Sequence, residues 1–232
     1  MLQFRLSKYY SMLQKLFSYL LPLNIFQQKS EISHSLEITW ANGQLVLDSK
    51  NTNYSYGSLQ RILRMGLKRI GFETIKSMSN ILVLGVAGGS VIKTLVDEID
   101  FKGKITGVEI DSKIIEIANQ YFKLNEITNL EIVIDDAFEF VLKTKSTYDL
   151  IIIDVFQDTI MPNFLFETFF TNRIGMLLNS KGFLLFNTMC LSNEHEIRNE
   201  KYSSNFPEKQ FSIQKMKRVE QHNEIFIIQK LA

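Results

Sequence analysis

Residues 81–112, ILVLGVAGGSVIKTLVDEIDFKGKITGVEIDS, constrain the fold more than any other stretch of this chain. Ile81 to Leu84 is an apolar run without alternation, which suits a strand buried on both faces of a parallel sheet. Gly85, Gly88 and Gly89 follow at once, with Ala87 among them. Such a turn bends tightly and lets a ligand approach where side chains would collide, and Ser90 is placed to cap a helix running to about Ile99. Gly103 marks the return, and Ile105 to Ile110 reads as a second strand. Its end carries Glu109 and Asp111, roughly 20 residues beyond the turn, where an acid meets ribose hydroxyls. This order implies a nucleoside site. An ordinary strand-to-helix turn would explain the glycines but leave the acids unexplained.

The remaining chain continues the alternation. MLQFRLSKYYSMLQKLFSYLLPLNIFQQKS, residues 1–30, places Phe4, Tyr9, Leu13, Leu16, Phe17 and Leu20 at helical spacing and predicts an amphipathic helix ended by Pro22. Core packing or a dimer contact is the first expectation for it, and peripheral membrane contact through Arg5, Lys8 and Lys15 the second. Charged and polar interruptions exclude a membrane span, and no small-residue cleavage site follows. Within residues 31–55, LEITW and QLVLDS flank Ala-Asn-Gly, a hairpin signal.

A single unit is expected over 56–232. Tyr56 to Gly71 reads as a helix. Ser112 is expected to cap a helix through Phe122, LEIVID is a third strand ending at Asp135 and Asp136, and Ala137 to Thr144 is a short helix with Asp135 as its cap. YDLIIID is a fourth strand, ending at Asp154. Phe164 to Leu178 then reads as a helix, Gly182 to Thr188 as a fifth strand, and FSIQKMKRVEQHNEIFIIQK as two strands around a polar turn. Acids at successive strand ends converge on one crevice in an open parallel sheet.

Composition excludes several classes. With 45% hydrophobic residues, a chain of 232 can bury one full core. A net charge of +1 gives no electrostatic footprint for nucleic acid. Cys190 is the single cysteine, so no internal disulfide framework exists; a small buried hydrophobe and a reducing, cytoplasmic setting are expected. His34, His195 and His222 show no paired ligand spacing, so no metal is expected and they read as solvent-facing.

The whole pattern describes an α/β, Rossmann-like class I methyltransferase fold: a seven-stranded, mostly parallel sheet with an antiparallel terminal strand, preceded by a small N-terminal β-hairpin region. Within that fold the motifs resemble the spermidine synthase (polyamine aminopropyltransferase) family. Leu45, Leu47 and Asp48, then Tyr56-Gly57-Ser58-Leu59, are similar to its L-x-L-D segment and tyrosine motif; its V-E-I-D is present at Val108 to Asp111, and its Asp-Ala pair at Asp136-Ala137. YDLIIID puts Asp154 at the family's proton-accepting aspartate, and Pro162, Leu165, Phe166 and Phe170 echo the stretch that closes over the site. Two features depart from the family: VAGGS lacks its loop acid, and Asp158 lies four residues after Asp154 where the family spacing is three.

What the resemblance implies is transfer of an aminopropyl group from decarboxylated S-adenosylmethionine to an amine such as a polyamine. Asp154 would accept the proton, Tyr56 or Asp158 would position the amine, and Gly85, Ala87, Gly89, Glu109, Asp111, Asp136 and Ala137 would hold the nucleoside. A homodimer formed through the N-terminal β piece would suit the family. Two alternatives stay open: methyl transfer from S-adenosylmethionine itself, with glycine-loop amides facing its carboxylate, and a catalytically silent nucleoside-binding or scaffold protein.

Overall fold

A computed structural model describes residues 12–30, 32, 35–48, 53–156 and 160–231. Its first part is a four-stranded antiparallel sheet in sequential order, β1 (Leu23–Gln28), β2 (Leu36–Ala41), β3 (Gln44–Asp48) and β4 (Asn53–Ser55). Asn42 and Gly43 join β2 to β3 with φ of 49° and 76°, the paired positive angles that a twisted two-residue hairpin turn demands. The sheet lays Leu36, Ile38 and Leu47 against Ile114, Ile117 and Phe122 of the larger unit. The expected hairpin is β2–β3, and β1 and β4 extend it to four strands. Of the expected N-terminal helix, residues 12–17 are helical and 1–11 lie outside the described residues. The part of residues 1–30 after Pro22 is corrected: Leu23–Gln28 is a strand, because its backbone pairs with β2, a partner distant in the sequence.

The larger unit begins with α1 (Gly57–Ile70) and α2 (Phe72–Lys76). Then follow β5 (Asn80–Leu84), α3 (Ser90–Lys93) continued by a π-helical turn (Thr94–Glu98), β6 (Lys104–Glu109), α4 (Ser112–Phe122), β7 (Leu130–Ile134), α5 (Ala137–Lys143) and β8 (Tyr148–Ile153). The chain finishes with α6 (Thr168–Leu177), β9 (Leu178–Met189), α7 (Asn193–Ser204), β10 (Phe211–Val219) and β11 (Asn223–Lys230).

These strands form one seven-stranded sheet in the order β10-β11-β9-β8-β5-β6-β7. From β9 to β7 all neighbours are parallel, and β11 inserts antiparallel between β9 and β10. Counted from β5 as strand one, the order is 3-2-1-4-5-7-6, the Rossmann-like methyltransferase arrangement. Helices cover both faces. Ile81 and Val83 of β5 point into one core layer, with α1, α3 and α4, and Leu82 and Leu84 into the other. All four are fully buried, each contributing about 1.5–3 kcal/mol.

Helix α7 is an element that apolar periodicity did not reveal, because its sequence NEHEIRNEKYSS is mostly polar. Distant contacts hold it instead. Ser192 caps it by accepting from His195 N at 3.3 Å, Asn199 donates to Thr188 Oγ1 and Glu224 Oε2, and Tyr202 sits among Phe166, Phe186, Phe206 and Phe226. Strand β9 also begins four residues earlier than the sequence reading of Gly182.

Candidate active site

Strand order reverses between β5 and β8, whose neighbours lie on opposite sides, and a crevice opens beyond the carboxyl ends of strands at such a point. A cavity of about 760 Å³ lies there. Its walls come from the ends of β5, β6, β7, β8 and β9, from α1, and from the turn between β10 and β11. That volume suits a nucleoside together with a small second substrate.

Gly85 ends β5 with φ of 84°, and a Cβ there would run into the Asp154 carbonyl oxygen. The glycine loop and the end of β8 therefore pack backbone to backbone. Glu109, buried at the end of β6, ties the same loop to the next strand: its Oε2 accepts from Val86 N at 3.1 Å and Ala87 N at 3.0 Å, and its Oε1 from Asp111 N at 3.1 Å. Those donors engage both carboxylate oxygens and hold the loop where Ala87 has φ of 47°. Burial pushes the Glu109 pKa up, against the lowering by these three amides.

Three further strand-end acids act as backbone caps. Asp111 is the N-cap of α4, accepting from Lys113 N at 2.9 Å and from the Ser30 hydroxyl. Asp136 caps α5, accepting from Phe138 N at 2.7 Å and Glu139 N at 3.3 Å, while Asp135 accepts from Asp136 N. The expected caps are thus corrected. Asp111 replaces Ser112, Asp136 replaces Asp135, and the residue before α3 is Gly89 with no side-chain cap from Ser90. Asp111 and Asp136 both have the extended backbone that an N-cap requires, whereas Gly89 is left-handed. Asp111, Asp136 and Ala137 all line the cavity.

Asp154 follows β8 and faces the cavity. Asn187 donates to its Oδ1 at 2.9 Å, and Asn223 donates to Asn187 Oδ1 at 2.9 Å, so a chain of buried amides crosses β9 and β11 to orient one carboxyl. Burial raises the Asp154 pKa from 3.8 to about 7, outweighing the lowering by Asn187. A carboxylate poised there exchanges a proton near neutrality.

Other expected site residues fall elsewhere. Tyr56 stacks on Phe122 with ring centroids 4.4 Å apart and is not among the cavity-lining residues; burial, with the charge of Asp97, raises its pKa. Gly89, at φ of 80°, turns toward Leu124 rather than the cavity. Asp158 lies outside the described residues. Conversely, Asn187, Asn223, Glu220 and His222 line the cavity without having been singled out as site residues. The asparagines carried a signal, being amides inside the apolar runs FLLFNT and NEIFII. His222, read as solvent-facing, is exposed at the cavity wall, and His195 is half-buried, accepting from Leu191 N at 3.2 Å. Among the described residues no cluster of three or more His, Cys, Asp or Glu is arranged to hold a metal ion.

The cavity's charge is one-sided. Glu109, Asp111, Asp135, Asp136, Asp154 and Glu220 contribute to its lining, and among the described lining residues there is no Lys or Arg. Arg61 reaches Glu220 from outside the lining set, at 2.8 and 3.1 Å.

Known proteins share this framework. The chain is 26% identical over 160 residues to an eEF1A lysine and N-terminal methyltransferase homolog of Drosophila melanogaster, covering 62% of this chain and 23% of that protein. It is 30% identical over 131 residues to a polyamine aminopropyltransferase of Vibrio vulnificus, covering 55% and 44% respectively. The matched segments thus span less than half the length of these relatives. A spermidine synthase solved in complex with the transition-state analogue AdoDATO shares the fold, with a TM-score of 0.67 at 19% identity over 90% of this chain and 74% of that one. The family model for the spermine/spermidine synthase domain matches residues 62–228. From within α1 into the last strand, the chain belongs to the spermine/spermidine synthase domain family.

Proposed function

We propose that this protein transfers an aminopropyl group from decarboxylated S-adenosylmethionine to an amine acceptor. The observation that carries the reading is a cavity lined by carboxylates, with Asp154 at a pKa of about 7 and no Lys or Arg among its described lining residues. Both the sulfonium donor and a protonated amine are cations, and buried carboxylates offset the hydration they lose. The donor's sulfonium makes its neighbouring carbon electrophilic, so the protein's work is alignment and proton removal. Glu109 would accept from ribose hydroxyls with the acceptor capacity left beside its three amides, and Asp136 and Ala137 would meet the base. Asp154 takes the proton shed by the attacking nitrogen. As the C–N bond forms the C–S bond breaks, and the nucleoside departs as a neutral thioether.

Methyl transfer from S-adenosylmethionine is the competing reading, supported by the relative described as a methyltransferase and by the absence of an acid in VAGGS. The loop's hydrogen bonding counts against it. The donor's carboxylate would need free donors or a cation, yet Val86 N and Ala87 N are engaged by Glu109 and Ser90 N by Ser55 Oγ.

Calorimetry with each donor alone, followed by a product assay with an α,ω-diamine, tests the proposal. Tighter binding of the decarboxylated donor and formation of an aminopropylated amine are expected. Preference for S-adenosylmethionine would transfer the assignment to methyl transfer, and binding of neither would leave a silent scaffold.

A further inference from the structure

The helix at 12–17 and the turn after it present the wrong face to the body. Ser18 is buried and is the anchor: its Oγ accepts from Gly43 N at 2.9 Å and its carbonyl from Asn42 N at 3.0 Å, while Tyr19 lies over Gly43. Gln14, one turn earlier on the same side, is half-buried. On the opposite side Met12, Leu13, Leu16, Phe17 and Leu20 form a stripe open to solvent, extended by Leu21, with Phe17 at 58%, Leu20 at 78% and Leu21 at 69% exposure. An amphipathic helix that lies on its own core does the reverse. Contiguous exposed apolar surface of this kind marks a contact with something outside the molecule.

Charge selects the occupant. Residues 1–30 contain Arg5, Lys8, Lys15 and Lys29 and no Asp or Glu, whereas the whole chain has 26 basic and 25 acidic residues, so the remainder is net acidic. Of these bases Lys15 lies exposed on the same short helix, and a second copy docked on this segment would bring no acid to meet it. An anionic lipid surface offers both an apolar layer for Leu16, Phe17, Leu20 and Leu21 and counter-charge for the bases. Among the described residues no helix is long and apolar enough to cross a membrane, so the contact would be with the surface. We propose that the N-terminal segment around residues 12–21 docks the protein on anionic membrane surfaces, anchored to its body by Ser18 and Tyr19.

Co-sedimentation of the full chain with vesicles of phosphatidylcholine alone, or with one third phosphatidylglycerol, tests this. Binding at least about tenfold tighter to the anionic vesicles is expected, weakening as salt rises from about 0.1 M to about 0.5 M. A Leu16→Ser/Phe17→Ser/Leu20→Ser variant loses binding with its melting temperature unchanged. Lys15→Glu, a change at one exposed side chain, weakens anionic binding several-fold and keeps the test valid if the triple variant does not fold. Absence of sedimentation with anionic vesicles, or equal binding to both compositions, would overturn the proposal. So would light scattering that shows a wild-type dimer broken to monomer by the triple variant, since a second copy would then cover the stripe.

Discussion

The side-chain amide of Asn187 donates to Asp154 Oδ1 at 2.9 Å, from the strand next to the one Asp154 terminates. This one bond opposes the burial that raises the Asp154 pKa to about 7, and a second amide, Asn223, holds Asn187 from the other side. A carboxyl's readiness to take a proton is thereby set by two strands that the acid itself does not belong to.

Asp154→Asn keeps the shape of the cavity and removes the proton acceptor. Turnover is expected to fall by about 10²–10⁴-fold, with nucleoside affinity changed less than about threefold because binding does not need the proton to move. Steady-state kinetics beside calorimetry separates the two, and an unchanged kcat would remove Asp154 from the chemistry.

The kcat/KM profile should rise with pH through an acid limb near the Asp154 pKa of about 7. Asn187→Ala removes the bond that lowers this pKa, so its limb moves to higher pH and its rate recovers on the alkaline side. A purely structural role for Asn187 would instead lower the rate equally at every pH.

Stability carries the same titration with a definite sign. Asp154 ionises near 3.8 when unfolded and near 7 when folded, so between these values the folded state binds more protons. Stability contributed by this group is therefore present below about pH 4 and lost as pH rises to about 7, with a slope of at most about 1.4 kcal/mol per unit. Urea melts across this window should show a smaller decline for Asp154→Asn than for the parent.

Glu109→Gln is expected to cost roughly 1–3 kcal/mol, because three backbone N–H groups converge on a side chain that then carries a donor of its own. Nucleoside affinity should fall at least about tenfold as the loop loses its tie to β6. Denaturant unfolding and calorimetry report these separately.

Gly85→Ala puts a Cβ into the Asp154 carbonyl at a positive φ, and should cost at least about 1–3 kcal/mol. Equilibrium unfolding checks it; a neutral result would mean that the glycine loop and the end of β8 pack more loosely than the structure has them.

Local rules settled much of this protein before any contact was known. The unbroken apolar run at Ile81–Leu84, the glycines after it, and acids at the ends of β6, β7 and β8 were enough to anticipate a parallel sheet with one crevice, since burial on both faces and close backbone approach are written in consecutive residues. The tail hairpin was legible for the same reason. What lay beyond local rules depended on partners distant in the chain. Strand β1 exists by pairing with β2, and α7 exists because Asn199 and Tyr202 find β9 and β11. Which acid caps a helix was decided by the backbone angles at a strand end, leaving Asp111 and Asp136 bound to amides and Asp154 held by Asn187. Tyr56 shows the other side of this limit: its motif resembles the family's tyrosine motif, yet its ring stacks on Phe122 and is not among the cavity-lining residues. Sequence fixes which chemistry is on offer along each strand; only the folded sheet, by bringing strand ends together and burying some groups more than others, decides which of them share a site and at what pKa.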